Sequence, residues 1–154
     1  MPILPIEELA AALPPRTPLV GVDVGEKTIG VAVSDFHLLI ASPLELIRKV
    51  KFTQDAQRLF QLMQNRGANG LVVGLPMNMD GTEGPRCQSS RAFARNLLRL
   101  KDIPIAFWDE RLSTAAVQRM LTDEADLTRG RRAELVDKAA AAWILQGALD
   151  RMAG

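Results

Sequence analysis

Residues 21–35 read GVDVGEKTIGVAVSD. Two apolar runs rich in β-branched residues flank a short polar stretch, GEKT at 25–28. The first run begins at Leu19 as LVGVDV and has the near-continuous hydrophobicity of a strand buried on both faces. The second, IGVAVSD, has the same character, and the short connection makes the two a hairpin. One acidic residue, Asp23, interrupts the first strand just before the turn. A carboxylate there either accepts hydrogen bonds from the turn or is held for chemistry, and the hairpin alone leaves both readings open.

Working outward, LLIASPLELIRK reads as a third strand, with Pro43 marking an edge or a bulge because proline cannot donate to a ladder. TQDAQRLFQLMQNRG places Ala56, Leu59, Phe60, Leu62 and Met63 at helical spacing, and Gly67 follows as a stop. NGLVVGLP is a short apolar strand and NMDGTEG a loop. RCQSSRAFARNLLRL is a helix with Phe93, Leu97 and Leu98 inward and its arginines largely outward. IPIAFWDE is a fifth strand. STAAVQRML begins a helix with Ser113 as N-cap, TDEADLTRGRR reads as a polar loop, and RAELVDKAAAAWILQGALDRM as a long C-terminal helix. Upstream, residues 1–18 hold five of the nine prolines. They read as an N-terminal arm with a helical turn in IEELAAAL, followed by one domain over 19–154. Three strands in a meander, then alternating helices and strands, give an α/β domain: a five-stranded mixed sheet, antiparallel then parallel, flanked by helices.

Composition narrows the functional classes. A chain of 154 residues with 47% hydrophobic and 24% charged residues suits one ordinary domain with a real core. No apolar run approaches the ~18 residues of a transmembrane helix. The first residues carry acids and prolines where a signal peptide has basic and apolar ones, so the cytoplasm is the expected compartment. One cysteine, Cys87, and one histidine, His37, exclude an internal disulfide and Cys- or His-paired metal sites. The net charge of +1 does not announce a nucleic-acid binder. The distribution says more: Arg86, Arg91, Arg95, Arg99 and Lys101 cluster in one segment, and Arg129, Arg131, Arg132 and Lys138 in another.

Four stretches, GVDVGEKTIGVAVSD, VVGLPMNMDGTEG, WDERLST and DKAAAAWILQGAL, together resemble the YqgF/RuvX family. They occur in the family's order and span most of 19–149; the proline-rich arm lies outside them. That family has an RNase H-like fold and is described both as a Holliday junction resolvase and as a nuclease for pre-16S ribosomal RNA. The resemblance implies a metal-dependent phosphodiesterase acting on precursor ribosomal RNA, or alternatively on branched DNA. It implies that Asp23, Glu110 and Asp137 are catalytic and bind Mg²⁺ or Mn²⁺, with two ions expected. Such cations take oxygen ligands, and a pair about 4 Å apart suits in-line phosphodiester displacement.

Other acids compete for these roles. Asp109 alternates with Glu110, so one of the two faces the site. Asp35 closes the second strand, too far from Asp23 to share an ion, and reads as a strand-end cap. Glu134 lies one turn before Asp137 and reads as a solvated helix acid. For Asp137 itself, a helix N-terminal acid complementing the dipole is the alternative. Arg111, with its forked donors, and Lys27 in the turn are the best candidates for gripping phosphate, with Arg86, Arg91 and Arg95 as further basic contacts. With no tyrosine, two tryptophans and five phenylalanines, recognition through phosphates and shape is expected over base stacking. Trp108 and Trp143 read as core. The loop GLPMNMDGTEGP could present helix-start amides to a phosphate, or be a plain turn; no GK[ST] follows, so it is not a Walker loop. DVGEKT also resembles the phosphate loop of the actin and sugar-kinase fold, but those proteins need two such domains. A non-catalytic nucleic-acid-binding module is the other rival. A junction resolvase requires a symmetric dimer; with no dimer seam evident, a monomer or weak homodimer is expected.

Overall fold

The structure, a computed structural model, describes residues 3–113 and 129–154, and side chains outside 112–138. The hairpin forms as its sequence dictates. Strand β1 (Leu19–Val24) pairs antiparallel with β2 (Thr28–Ser34), Asp23 lying opposite Gly30. β3 (Ala41–Arg48) completes the meander. Helix α2 (Phe52–Arg66) leads to β4 (Gly70–Leu75), and α3 (Pro85–Leu100) to β5 (Ile105–Asp109). The sheet order is β3-β2-β1-β4-β5, with β4 parallel to both β1 and β5. Pro43 does both things expected of it: β3 is an edge strand, and its register with β2 shifts where Pro43 opposes Ala32. Gly67 ends α2 in the left-handed region, φ 68°, where its amide bonds back to Gln64 O.

The alternation of side chains along the strands sorts the core into two layers. Val20, Val22, Val24, Leu71 and Val73 face α2 and α3. Leu19, Val72 and Ala106 face the long C-terminal helix α4 (Arg129–Ala153), against Ala141, Ile144, Leu145 and Leu149. Helix α4 starts at Arg129 and so takes in the RGRR stretch that polarity assigned to a loop. A helix's first turn needs no buried face, and apolar periodicity reports only where packing begins. The helix expected over STAAVQRML and the rest of the polar stretch, 122–128, lie outside the described residues.

The proline-rich segment contributes to the α4 layer. A short helix, α1 (Ile6–Leu9), buries Leu9 completely and Ile6 nearly so. Ile3 bridges to Ile105, and the Leu4 amide donates to Ile105 O at 2.8 Å. Truncating a leucine buried this completely costs ~2–5 kcal/mol.

Glycine lets α4 lie close on the sheet. A Cβ on Gly21 would sit 2.7 Å from Leu145 Cβ, and one on Gly147 2.8 Å from Trp108 Nε1. Trp108 packs in this layer, as its apolar context implied.

Candidate active site

Asp23 occurs two residues beyond Gly21 on β1, so it shares the face that α4 covers. On β5, Trp108 packs on the α4 layer while Phe107 packs on the other. The same alternation carries Asp109 away from α4 and returns Glu110, at the start of a 3₁₀ turn, to it. The structure therefore separates the two neighbouring acids. Glu110 reaches over Gly74 of β4: a Cβ there would lie 2.6 Å from Glu110 Oε1 and 2.6 Å from Ile144 Cδ1. Gly74 continues the β1–β4 register opposite Asp23, so the missing side chain leaves room for the Glu110 carboxylate to lie over β4 beside Asp23.

Burial, first, and then the nearby charge and hydrogen bonding of Asp23 push the Glu110 carboxyl up to about 8. Arg86 opposes that shift and Asp109 adds to it. Below that value Glu110 holds a proton, which two close carboxylates in a half-dry site require. Glu110 Oε1 is buried and has no hydrogen-bond partner. A buried oxygen left unbonded beside a second carboxylate fits a hard divalent cation, whose preferred ligands are oxygens.

The third expected acid, Asp137, belongs to α4, four residues before Ala141 and eight before Leu145, the two residues packed over Gly21. Its side chain, like that of Glu134, lies outside what is described. Among the described residues, Asp23 and Glu110 are joined by no third metal-ligating side chain. Asp35 is a cap, as expected: its Oδ1 accepts the Leu39 and Ile40 amides at 2.8 and 2.9 Å, and its Oδ2 the His37 amide at 3.2 Å. These amides hold its carboxyl below the usual range.

The basic residues divide into two groups. Arg111 is engaged with Asp109: Nη2 lies 2.6 Å from Oδ2, and Nε 3.0 and 3.1 Å from the two oxygens. This pairing holds the Asp109 carboxyl low. Arg111 Nη1 also donates to Met79 O at 3.3 Å, tying the 76–84 loop to the end of β5. Arg91 is similarly occupied, with Nε and Nη2 each 2.7 Å from the Glu83 carboxylate and the guanidinium 5.0 Å from the Phe107 ring centre. The loop itself is a self-bonded turn in which Asp80 Oδ1 accepts from the Thr82 hydroxyl and amide. Arg86, Arg95 and Lys27 are exposed. Arg86 lines an open cleft of about 470 Å³ with Val24, Gly25, Glu26, Lys49 and Ser89. Sequence reading passed over Lys49. The meander brings it to the turn, where its amide bonds Lys27 O and its Nζ lies 3.1 Å from Gly25 O. It also passed over Gly74, whose only signal is a small residue at the end of an apolar strand.

Residues 17–151 match the RuvX family, described as a Holliday junction resolvase. A protein from Phenylobacterium zucineum is 69% identical over 153 residues, 99% of this chain and 98% of its own. One from Caulobacter vibrioides is 66% identical over 155 residues, 100% of this chain and 99% of its own. Both carry the provisional name pre-16S rRNA nuclease. Among solved structures, Thermus thermophilus RuvC in complex with a Holliday junction superposes with a TM-score of 0.52 at 13% identity, covering 88% of this chain and 96% of that one. A second Thermus thermophilus RuvC structure gives 0.51. At such identity the likeness is one of fold, and it is the RNase H-like fold expected from the sequence.

Proposed function

Since the chain belongs to the RuvX family, we propose that it is a metal-dependent nuclease that hydrolyses phosphodiester bonds in structured RNA, with the precursor of 16S ribosomal RNA as substrate. The observation that carries this reading is the meeting of Asp23 and Glu110, from separate elements, with Glu110 lying in the space left by Gly74. A structural acid capping its own turn would have no reason to meet a second, buried carboxylate.

Asp23, Glu110 and Asp137 would hold Mg²⁺ or Mn²⁺. When bound, such ions supply Lewis acidity toward a phosphodiester. The chain's own residues do the rest. Glu110 gives up its proton as the site is loaded, so binding is coupled to proton release. Gly74 keeps room for the Glu110 side chain beside Asp23. Arg86, close enough to Glu110 to lower its pKa, and Lys49, which lines the same cleft as Arg86, with Lys27 exposed in the adjoining turn, would offset the repulsion between an acidic site and a polyanion, which makes binding salt-dependent. Arg111 and Arg91 are already neutralised by Asp109 and Glu83; they fix the 76–84 loop and the start of α3, and so act as positioning residues.

The test is cleavage by purified protein of a precursor ribosomal RNA fragment and of a four-way DNA junction, with Mg²⁺, Mn²⁺ or chelator. Metal-dependent cleavage of the RNA, lost in Asp23→Asn, Glu110→Gln and Asp137→Asn with the fold intact, is expected. Wild-type rates in Asp23→Asn would sink the site assignment. The family's description supports a second reading, resolution of DNA junctions. That reading requires a two-fold dimer cutting two strands symmetrically, so symmetric junction cleavage by a dimer would replace the RNA assignment.

A further inference from the structure

The five phenylalanines have unequal fates. Phe52, Phe60, Phe93 and Phe107 are in or against the core, whereas Phe36 is 45% exposed. It lies just past the end of β2, at the opposite end of the sheet from the acids. Leu19 precedes Asp23 on β1 by four residue steps, a distance of ~13 Å along the strand.

Phe36 is not isolated there. The Arg16 guanidinium lies over its ring, 4.9 Å from the centroid, and the His37 ring is 4.7 Å away. Arg16 adopts φ 63°, a left-handed conformation that residues with a Cβ rarely take. Arg16, Pro18, Phe36, Arg66 and Gly67 line a concavity of about 340 Å³. Among the described residues, neither Arg16 nor Arg66 has an ion-pair partner. This contrasts with Arg91 and Arg111, whose charges are spent inside the fold.

We propose that this concavity is a second nucleic-acid contact, which takes a single-stranded segment of the substrate by stacking a base on Phe36 and Arg16 and pairing a phosphate with Arg66. Exposed aromatic and guanidinium faces beside an unpaired arginine are the chemistry that holds unpaired strands, because every base has a stacking face. An apolar ligand would leave both guanidiniums unsatisfied. An acidic peptide would use the arginines but not the ring. The inference takes from the nuclease reading only that the ligand is a nucleic acid.

The experiment compares two RNA hairpins, one blunt and one with a single-stranded oligouridine tail, by fluorescence anisotropy in chelator. Wild-type protein should bind the tailed hairpin at least about tenfold more tightly. Phe36→Ala should abolish that preference and Phe36→Trp retain it. Arg66→Ala should weaken tailed binding and reduce the steepness of its log–log salt dependence by about 0.7. Since Phe36 is exposed, its truncation leaves the core intact. Equal affinity of wild type for both hairpins, or an unchanged preference in Phe36→Ala, overturns the proposal, as does displacement of the tailed RNA by poly-glutamate as readily as by oligouridine. Cleavage of the blunt hairpin with Mg²⁺ is scored separately. Its failure counts against the nuclease reading, whereas a Phe36-dependent tail preference upholds the second contact whatever the cleavage result.

Discussion

Replacing Glu110 with glutamine should stabilise the metal-free protein while removing its activity. The folded protein holds the Glu110 carboxyl near 8, against an ordinary value of 4.5. An acid whose pKa rises on folding binds its proton more tightly in the folded state, so the penalty for ionising it grows as pH rises between those values. Each unit is worth about 1.4 kcal/mol. At pH 7, some 2.5 units above 4.5, the penalty is at most about 3 kcal/mol, and hydration of the cleft brings it toward about 1. For a domain of this size that is roughly 3–10 °C in Tm. The glutamine amide donates toward Asp23 as the protonated glutamic acid does, so it keeps the shape without the titration. The assay is thermal melting of both proteins in chelator from pH 5 to 8. Wild type should lose stability across this window and Glu110→Gln should stay nearly level, the curves converging at the acidic end. Saturating Mg²⁺ should raise the wild type by mass action and shift the variant little. Because the Asp23 charge contributes to holding the Glu110 carboxyl up, Asp23→Asn should flatten the wild-type curve as well. Equal melting of wild type and Glu110→Gln at pH 7 in chelator, with parallel pH dependence, would refute the placing of Glu110 against Asp23.

Gly74→Ala should cost ~1–3 kcal/mol, because its Cβ would lie 2.6 Å from both Glu110 Oε1 and Ile144 Cδ1; by displacing Glu110 it should also remove the Mg²⁺-dependent rise in Tm, and a retained rise would show that this space is not needed. Arg111→Ala should slow turnover while leaving the salt dependence of RNA binding unchanged, since the guanidinium is spent on Asp109 and Met79 O; a salt dependence less steep by about 0.7–0.9 would instead identify a direct phosphate contact. Asp35→Ala should destabilise by about 1 kcal/mol, as loss of a cap does. Its carboxyl is depressed by backbone amides, so the difference from wild type should be present above the ordinary value of 3.8 and vanish as pH falls through the lowered one; urea melts across that range measure it.

The sheet was legible in the chain because each strand carries its own signal. Apolar runs at Leu19–Val24 and Gly70–Leu75, the turn at 25–28, Pro43 at the edge and Gly67 after α2 are all local facts of backbone and burial. The proposed trio Asp23, Glu110 and Asp137 rests on family resemblance, since these acids are far apart in sequence; of them, the structure shows only Asp23 and Glu110 as neighbours. What tertiary structure decided was the partner of each charge. Arg91 and Arg111, which spacing and chemistry marked for phosphate, are paired with Glu83 and Asp109, whereas Lys49, which carried no signal, reaches the mouth of the cleft because the meander returns it to the hairpin turn. Gly74 looks like any small strand residue until Glu110 is seen lying over it, and Phe36 is one of five phenylalanines until packing consumes the other four. Backbone conformation follows from neighbours a few residues away, but the neutralisation of a charge or the burial of a ring depends on which distant groups the fold brings within a few ångströms.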